Sequence, residues 1–200
     1  MNGRQVVVVV GSPRAEGACA ALAEQVQAGA RAAGAAVARY DLHGLNIQPC
    51  TACDVCQAAT DDDCFIQDDL QPVYQVLRRA DALVLVSPIY WFSFSAQTKL
   101  FIDRAFYGLQ GPQGNALRGK SLGLVLAYGD SDPFTSGAVN ALRSFEDICR
   151  YVKAELAGFV YGSSGGGAMR DQPAVLEQAR RLGEKLGRKA GRKRPASRKA

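Results

Sequence analysis

Four of the chain's six cysteines fall within PCTACDVCQAATDDDCF, residues 49–65. Cys50, Cys53 and Cys56 are spaced C-x2-C-x2-C, and seven residues separate Cys56 from Cys64. Four thiols so arranged can ligate a [4Fe-4S] cubane, for which C-x2-C-x2-C is a familiar spacing. Structural zinc more often uses two C-x2-C pairs well apart in sequence, so zinc fits less well. A third possibility is that the thiols hold nothing and pack as small apolar groups. Asp61, Asp62 and Asp63 stand beside Cys64. Each would oppose an anionic cluster by about 1 kcal/mol in water at a separation of about 4 Å, and by more where solvent is excluded. Cluster and bare thiols therefore both stay open at this point. Cys19 and Cys149 fall in predicted helices and read as packing residues.

Little else in the chain suggests acid–base or nucleophilic chemistry. The single histidine, His43, lies in a polar turn and reads as a surface residue. Asp103 and Arg104 lie on a predicted helix, where an intrahelical or interface ion pair is expected. No catalytic triad is visible.

Apolar strands alternate with amphipathic helices throughout the 200 residues. QVVVVV (5–10) is an unbroken β-branched run, as in a strand covered on both faces. Further strands are predicted over 36–42, 82–88, 120–130 and 157–162. Helices are predicted over 18–34, with Gly34 as the stop, 68–80, with Pro72 in the first turn, 96–106, 136–154, and 171–187, with Asp171 as cap. Five strands each followed by a helix imply a parallel sheet with right-handed crossovers and helices on both faces. In such a sheet, ligands bind beyond the carboxyl ends of the strands, where strand order reverses.

Residues 1–187 are read as this one α/β domain and 188–200 as a basic, disordered tail. Ten of the 24 Lys/Arg and one of the 19 Asp/Glu lie from Arg180 onward, which leaves 14 against 18, or −4, in the body. The formal net charge of +5 thus belongs to the tail, and nucleic acid is not an expected partner. No apolar run approaches a membrane span, and the first residues lack a signal peptide's features. A cytoplasmic location with mostly reduced thiols is expected, which disfavours a disulfide framework.

The strand ends carry the remaining chemistry. GSPRAEGAC (11–19) turns the chain into a helix, aiming backbone N–H groups and a helix N-terminus at one point, which suits a phosphate. It is neither a Walker loop nor G-x-G-x-x-G. SPIYWFSFSAQTK (87–99) is read as a loop with aromatic residues beside small polar ones, suited to a planar ring, though several of the aromatics are expected to pack inward. Tyr128 and Gly129, after the fourth strand, face the same crevice. GSSGGGAMR (162–170) is either a flap or a flexible connection.

GSPRAEGACAALA resembles the phosphate loop of flavodoxin-like NAD(P)H-dependent FMN reductases and quinone reductases. SPIYWFSFSAQTKLFIDR is similar to their flavin-ring loop and following helix, and C-x2-C-x2-C-x7-C to the cluster motif of their iron–sulfur flavoprotein branch. The resemblance implies a flavodoxin-like three-layer sandwich with a five-stranded parallel sheet. It implies FMN held by Ser12, Pro13, Arg14, Gly17, Ala18 and Cys19 at the phosphate, and by Pro88, Ile89, Tyr90 and Trp91 at the ring. Ala18 and Cys19 depart from the Asn and hydroxyl residue common in the family, and a thiol is the weaker donor. The implied activity is hydride transfer from NAD(P)H to FMN, then reduction of a quinone, flavin, metal ion or protein, in a homodimer or homotetramer. Two alternatives are an electron carrier with a [4Fe-4S] cluster on Cys50, Cys53, Cys56 and Cys64, and a cofactor-free flavodoxin-like interaction scaffold.

Overall fold

The computed structural model describes residues 3–58 and 64–188. Asp61–Asp63 and most of the basic tail, over 189–200, lie outside the described residues. Strands β1 (Gln5–Val10), β2 (Ala36–Asp41), β3 (Ala82–Tyr90), β4 (Ser121–Tyr128) and β5 (Glu155–Ser163) form a sheet in the order β2-β1-β3-β4-β5. All four of these pairings are parallel. This is the flavodoxin-like order, and its reversal lies between β1 and β3.

The valine run shows why β1 is central. Val6, Val8 and Val10 enter the core on one side of the sheet, Val7 and Val9 the core on the other. Helices α1 (Ala18–Ala32) and α5 (Pro173–Gly187) cover the first side. Helices α2 (Gln71–Arg79), α3 (Ala96–Phe101) and α4 (Ala138–Val152) cover the second. Gly29 and Gly183 let α1 and α5 pack backbone to backbone: a Cβ on either would sit 2.0 Å from a carbonyl oxygen of the other helix. Gly34 ends α1 in the left-handed region (φ +85°), as its position predicts.

Three local expectations are corrected. Asp171 does not cap α5; it lies in a 3-10 turn, Met169–Asp171, and the helix starts after Gln172. Pro173 is the cause, since it favours the first helical position and forces the residue before it to be extended. The acids at 68 and 69 precede α2 rather than opening it. The helix predicted over 96–106 is α-helical only to Phe101, after which Ile102–Phe106 form a widened π turn. That turn leaves Asp103 exposed and Arg104 buried at 1% exposure.

Candidate functional site

The two predicted loops meet. Val10, the last residue of β1, pairs with Val86 of β3, which runs on to Tyr90, and the Gly11 N–H donates to the Val86 carbonyl at 2.8 Å. From Gly11 the chain turns through Ser12–Gly17 into α1. No side chain caps that helix, and its first turn holds no acid. Its leading N–H groups have no partner within the helix and point beyond the sheet. Ser12 is mostly buried and its Oγ accepts from the Arg14 N–H at 3.2 Å, while Arg14 itself is exposed. Cys19 is buried, and its thiol is pushed up to about 12 by that burial, partly offset by a hydrogen bond with Ser12 and the charge of Arg14. The thiol is thus a neutral packing group at neutral pH.

Residues 87–90 were expected to be loop. They extend β3, and Ser93–Phe94 pairs back on it, Ile89 with Phe94 and Tyr90 with Ser93. Trp91 and Phe92 form the two-residue turn, both at positive φ (48° and 65°). Such turns favour Asn-Gly, and aromatic residues there carry strain of the kind that gathers at functional sites. Among the four aromatics only Phe94 is buried; Tyr90, Phe92 and Trp91 are 40%, 56% and 93% exposed. The inward packing expected of several therefore holds for one. Phe92 is tied down through its carbonyl, which accepts from Asn140 Nδ2 at 3.1 Å.

A buried polar cluster, unforeseen from sequence, fastens the loops together. Ser95 Oγ donates to the Gly11 carbonyl at 2.7 Å, accepts from the Thr98 N–H as the cap of α3, and lies 2.9 Å from Thr98 Oγ1. Thr98 Oγ1 donates to Ser87 Oγ at 3.0 Å, and Ser87 Oγ in turn donates to the Pro88 carbonyl. Gly11 is required sterically, because a Cβ there would fall 1.8 Å from Thr98 Oγ1. Small hydroxyl residues at 87, 95 and 98 were legible as a composition, but not their common partner.

A recess of about 170 Å³ lies between the ends of β3 and β4, lined by Ile89, Trp91, Phe92, Tyr128, Gly129, Asp130 and Ser136. Of the predicted ring-side residues, Ile89, Trp91, Tyr128 and Gly129 line it; Pro88 lies buried in β3 and Tyr90 on the hairpin flank. Phe92, Asp130 and Ser136 were missed. Beside the recess, Asp132 accepts from the Thr135 and Phe134 N–H groups and the Thr135 hydroxyl, which hold its carboxyl down at about 2. The Gly-rich 163–167 stretch is anchored to this turn, the Ser164 N–H donating to the Tyr128 carbonyl at 2.7 Å and Ser163 Oγ to that of Asp130. A larger groove, about 690 Å³, lies elsewhere, between the Ile102–Phe106 turn and α4, with Cys50, Ile102, Phe106, Tyr107, Ile148 and Tyr151 on its walls.

The cysteine loop forms a separate centre. Cys50, Cys53, Cys56 and Cys64 line one small cavity together with Arg104 and Tyr107, with room for about one water (≈ 10 Å³). Cys50 and Cys53 are exposed, Cys56 and Cys64 buried. Among the described residues, no three His, Cys, Asp or Glu side chains stand in the geometry that holds a single metal ion. The loop curls through Ala52 and Asp54 at positive φ, and Tyr107 Oη donates to Asp54 Oδ1 at 2.5 Å. Asp103 pairs with Lys99 at 2.6 Å and not with Arg104. Arg104 Nη1 instead binds Asp68 Oδ2 at 2.8 Å, both side chains buried, and also donates to the Gln48 carbonyl. Arg104 Nε and Nη2 have no acceptor among the described residues. His43 is exposed in a 3-10 turn, as expected.

The chain is similar to several known proteins. The chain is 27% identical over 189 residues to an iron–sulfur flavoprotein of Methanocaldococcus jannaschii, covering 91% of this chain and 95% of the relative. It is 29% identical over 126 residues to an iron–sulfur flavoprotein of Archaeoglobus fulgidus; the match covers 62% of this chain but spans only 54% of that protein's length. Its fold matches that of an NAD(P)H:quinone oxidoreductase from Methanothermobacter marburgensis with a TM-score of 0.72, at 20% identity, over 92% of this chain and 99% of the other. No helix among the described residues is long and apolar enough to cross a membrane. Residues 4–170, which hold the Ser12–Gly17 turn, the aromatic hairpin and the cysteine loop, match the family described as NADPH-dependent FMN reductase, and it is to this family that the chain belongs.

Proposed function

We propose that the protein is an FMN-dependent oxidoreductase that takes hydride from NAD(P)H and reduces a quinone, flavin, metal ion or protein acceptor. The observation that carries this reading is the locked juxtaposition, through Gly11, Ser87, Ser95 and Thr98, of an uncapped helix N-terminus and an aromatic hairpin at the sheet's switch point. FMN, when bound, supplies the hydride acceptor and the store of electrons.

The residues present fit that cofactor. Ser12, Arg14 and the backbone N–H groups of Gly17, Ala18 and Cys19 would face the phosphate, and the first turn of α1 holds no carboxylate. Cys19 contributes its backbone, since its thiol is buried. Pro13 fixes the turn. Ile89 and Trp91 would form one wall of the ring site and Tyr128 and Gly129 the opposite side, with Pro88 and Tyr90 supporting the hairpin behind them. Trp91 and Phe92 keep water from one face, and a homodimer or homotetramer would cover more of it. The test is anaerobic mixing of the FMN-loaded protein with NADH or NADPH. Bleaching of flavin absorbance, restored by a quinone, supports the reading; no bleaching with either nucleotide overturns it.

A second reading, a [4Fe-4S] cluster on the cysteine loop, is favoured by one observation: four thiols share a cavity with a buried guanidinium that has unused donors. The donor set suits anionic sulfur. The cavity is narrow, so loading requires the exposed Cys50–Cys53 segment to move outward. Iron and acid-labile sulfide per chain after anaerobic reconstitution test it.

A further inference from the structure

Arg104 is placed with more donors than its surroundings use. Its side chain is buried, and its Nη1 is committed to Asp68 and the Gln48 carbonyl. The Tyr74 hydroxyl holds its carbonyl at 3.0 Å, so the backbone is fixed as well. A guanidinium carries five N–H groups and cannot be neutralised. Those on Nε and Nη2 meet no acceptor among the described residues. Buried donors, charged ones above all, are nearly always satisfied, so such a pair of orphans calls for an explanation.

The cavity that Arg104 lines holds the explanation. Its other walls include Cys56 and Cys64. A neutral thiol is a poor acceptor. Thiolate or sulfide bound to metal is anionic, and bonds to it are charge-assisted. Arg104 is already matched by Asp68, so its positive charge stays fixed in place whether or not the loop is loaded. Arg104 and Asp68 are in place, and the cavity has to open at Cys50–Cys53 to admit the sulfur.

We infer that Arg104 is an outer-shell donor of the cysteine loop: its Nε–H and Nη2–H donate to the sulfur of a cluster held by Cys50, Cys53, Cys56 and Cys64. The inference rests on the second reading above and adds to it a residue outside the cysteine motif. Donors aimed at sulfur favour the more negatively charged state, so Arg104 raises the cluster's reduction potential.

The test uses the full chain with FMN, reconstituted anaerobically with ferrous iron and sulfide, beside Arg104→Lys. Lysine keeps a cation for Asp68 but lacks the guanidinium fork. The variant is expected to bind FMN as the parent does, to lose iron to a chelator about tenfold faster or more, and to titrate at a lower midpoint potential. Unchanged iron release and unchanged potential would overturn the inference. Should the variant fail to fold, the parent protein decides: with nitrogen-15-labelled arginine, pulsed EPR of the reduced cluster is expected to show coupling to the label. Absence of that coupling overturns the role of Arg104. If the parent takes up no iron, the cluster reading fails and this inference with it, an outcome distinct from iron held without help from Arg104.

Discussion

Replacing Gly11 by alanine probes the joint between the two loops. The new Cβ would lie 1.8 Å from Thr98 Oγ1 and 3.0 Å from both Ser95 Oγ and Thr98 Cβ. The strain is steric, and rotation of the threonine cannot remove it all because its Cβ is also too close. Expelling the Thr98 hydroxyl breaks its contacts with Ser87 Oγ (3.0 Å) and Ser95 Oγ (2.9 Å). The hydrogen bond to Ser87 at about 1 kcal/mol and an overpacking cost of about 1–3 kcal/mol give a loss of about 2–4 kcal/mol. For a chain of this size that lowers Tm by about 10 °C. FMN affinity falls as well, because the phosphate turn and the ring site no longer share one support. Thermal unfolding by circular dichroism and FMN titration read the two effects. Adding Thr98→Ala removes the clashing oxygen and is expected to recover part of the loss. Gly11→Ala with the parent's Tm, or strict additivity in the double mutant, would refute the reasoning, since residues in contact are expected to couple.

Trp91→Asn places a residue tolerant of positive φ in the hairpin turn, so Tm holds or rises while FMN binding weakens about tenfold, as expected for loss of about 1–1.5 kcal/mol of ring contact; calorimetry with FMN measures both. Asp68→Ala leaves the buried Arg104 charge unpaired and lowers the free energy of unfolding in urea by about 3–5 kcal/mol. In native, metal-free protein at neutral pH, mass spectrometry after alkylation is expected to find label on the exposed Cys50 and Cys53 and none on Cys19 or Cys149, whose thiols burial pushes up to about 12 and about 11. Those two thiols keep their protons in the fold while the unfolded chain gives them up near 9.0. Their contribution to stability is therefore complete below that pH and declines as pH rises toward 11–12, which the urea midpoint as a function of pH will show.

The sheet was readable because its information is local. Five valines in a row specify a strand buried on both faces, Gly34 marks the end of α1, and each strand–helix alternation fixes a crossover. The site was half readable. GSPRAEGAC announces an anion turn by composition, but nothing local says that Gly11 must be bare because Thr98 lies against it. The hairpin at Trp91–Phe92 ran against turn preference, since tertiary contacts from β3 and Asn140 hold what local energetics disfavour. The sequence suggests an intrahelical or interface ion pair for Asp103 and Arg104. Asp103 does pair along its helix, with Lys99, whereas the partner of Arg104, in the π turn, is Asp68, 36 positions away. Periodicity sees neighbours along a helix and cannot see a widened turn or a distant carboxylate.

The most direct measurement is an FMN titration followed by the emission of Trp91, the chain's single tryptophan, which stands 93% exposed on the wall of the recess proposed for the flavin ring. The account predicts quenching that saturates at one FMN per chain and is much weaker with riboflavin, which lacks the phosphate that the turn at Ser12 would hold. FMN bound without any change in Trp91 emission, or equal affinity for riboflavin, would contradict it.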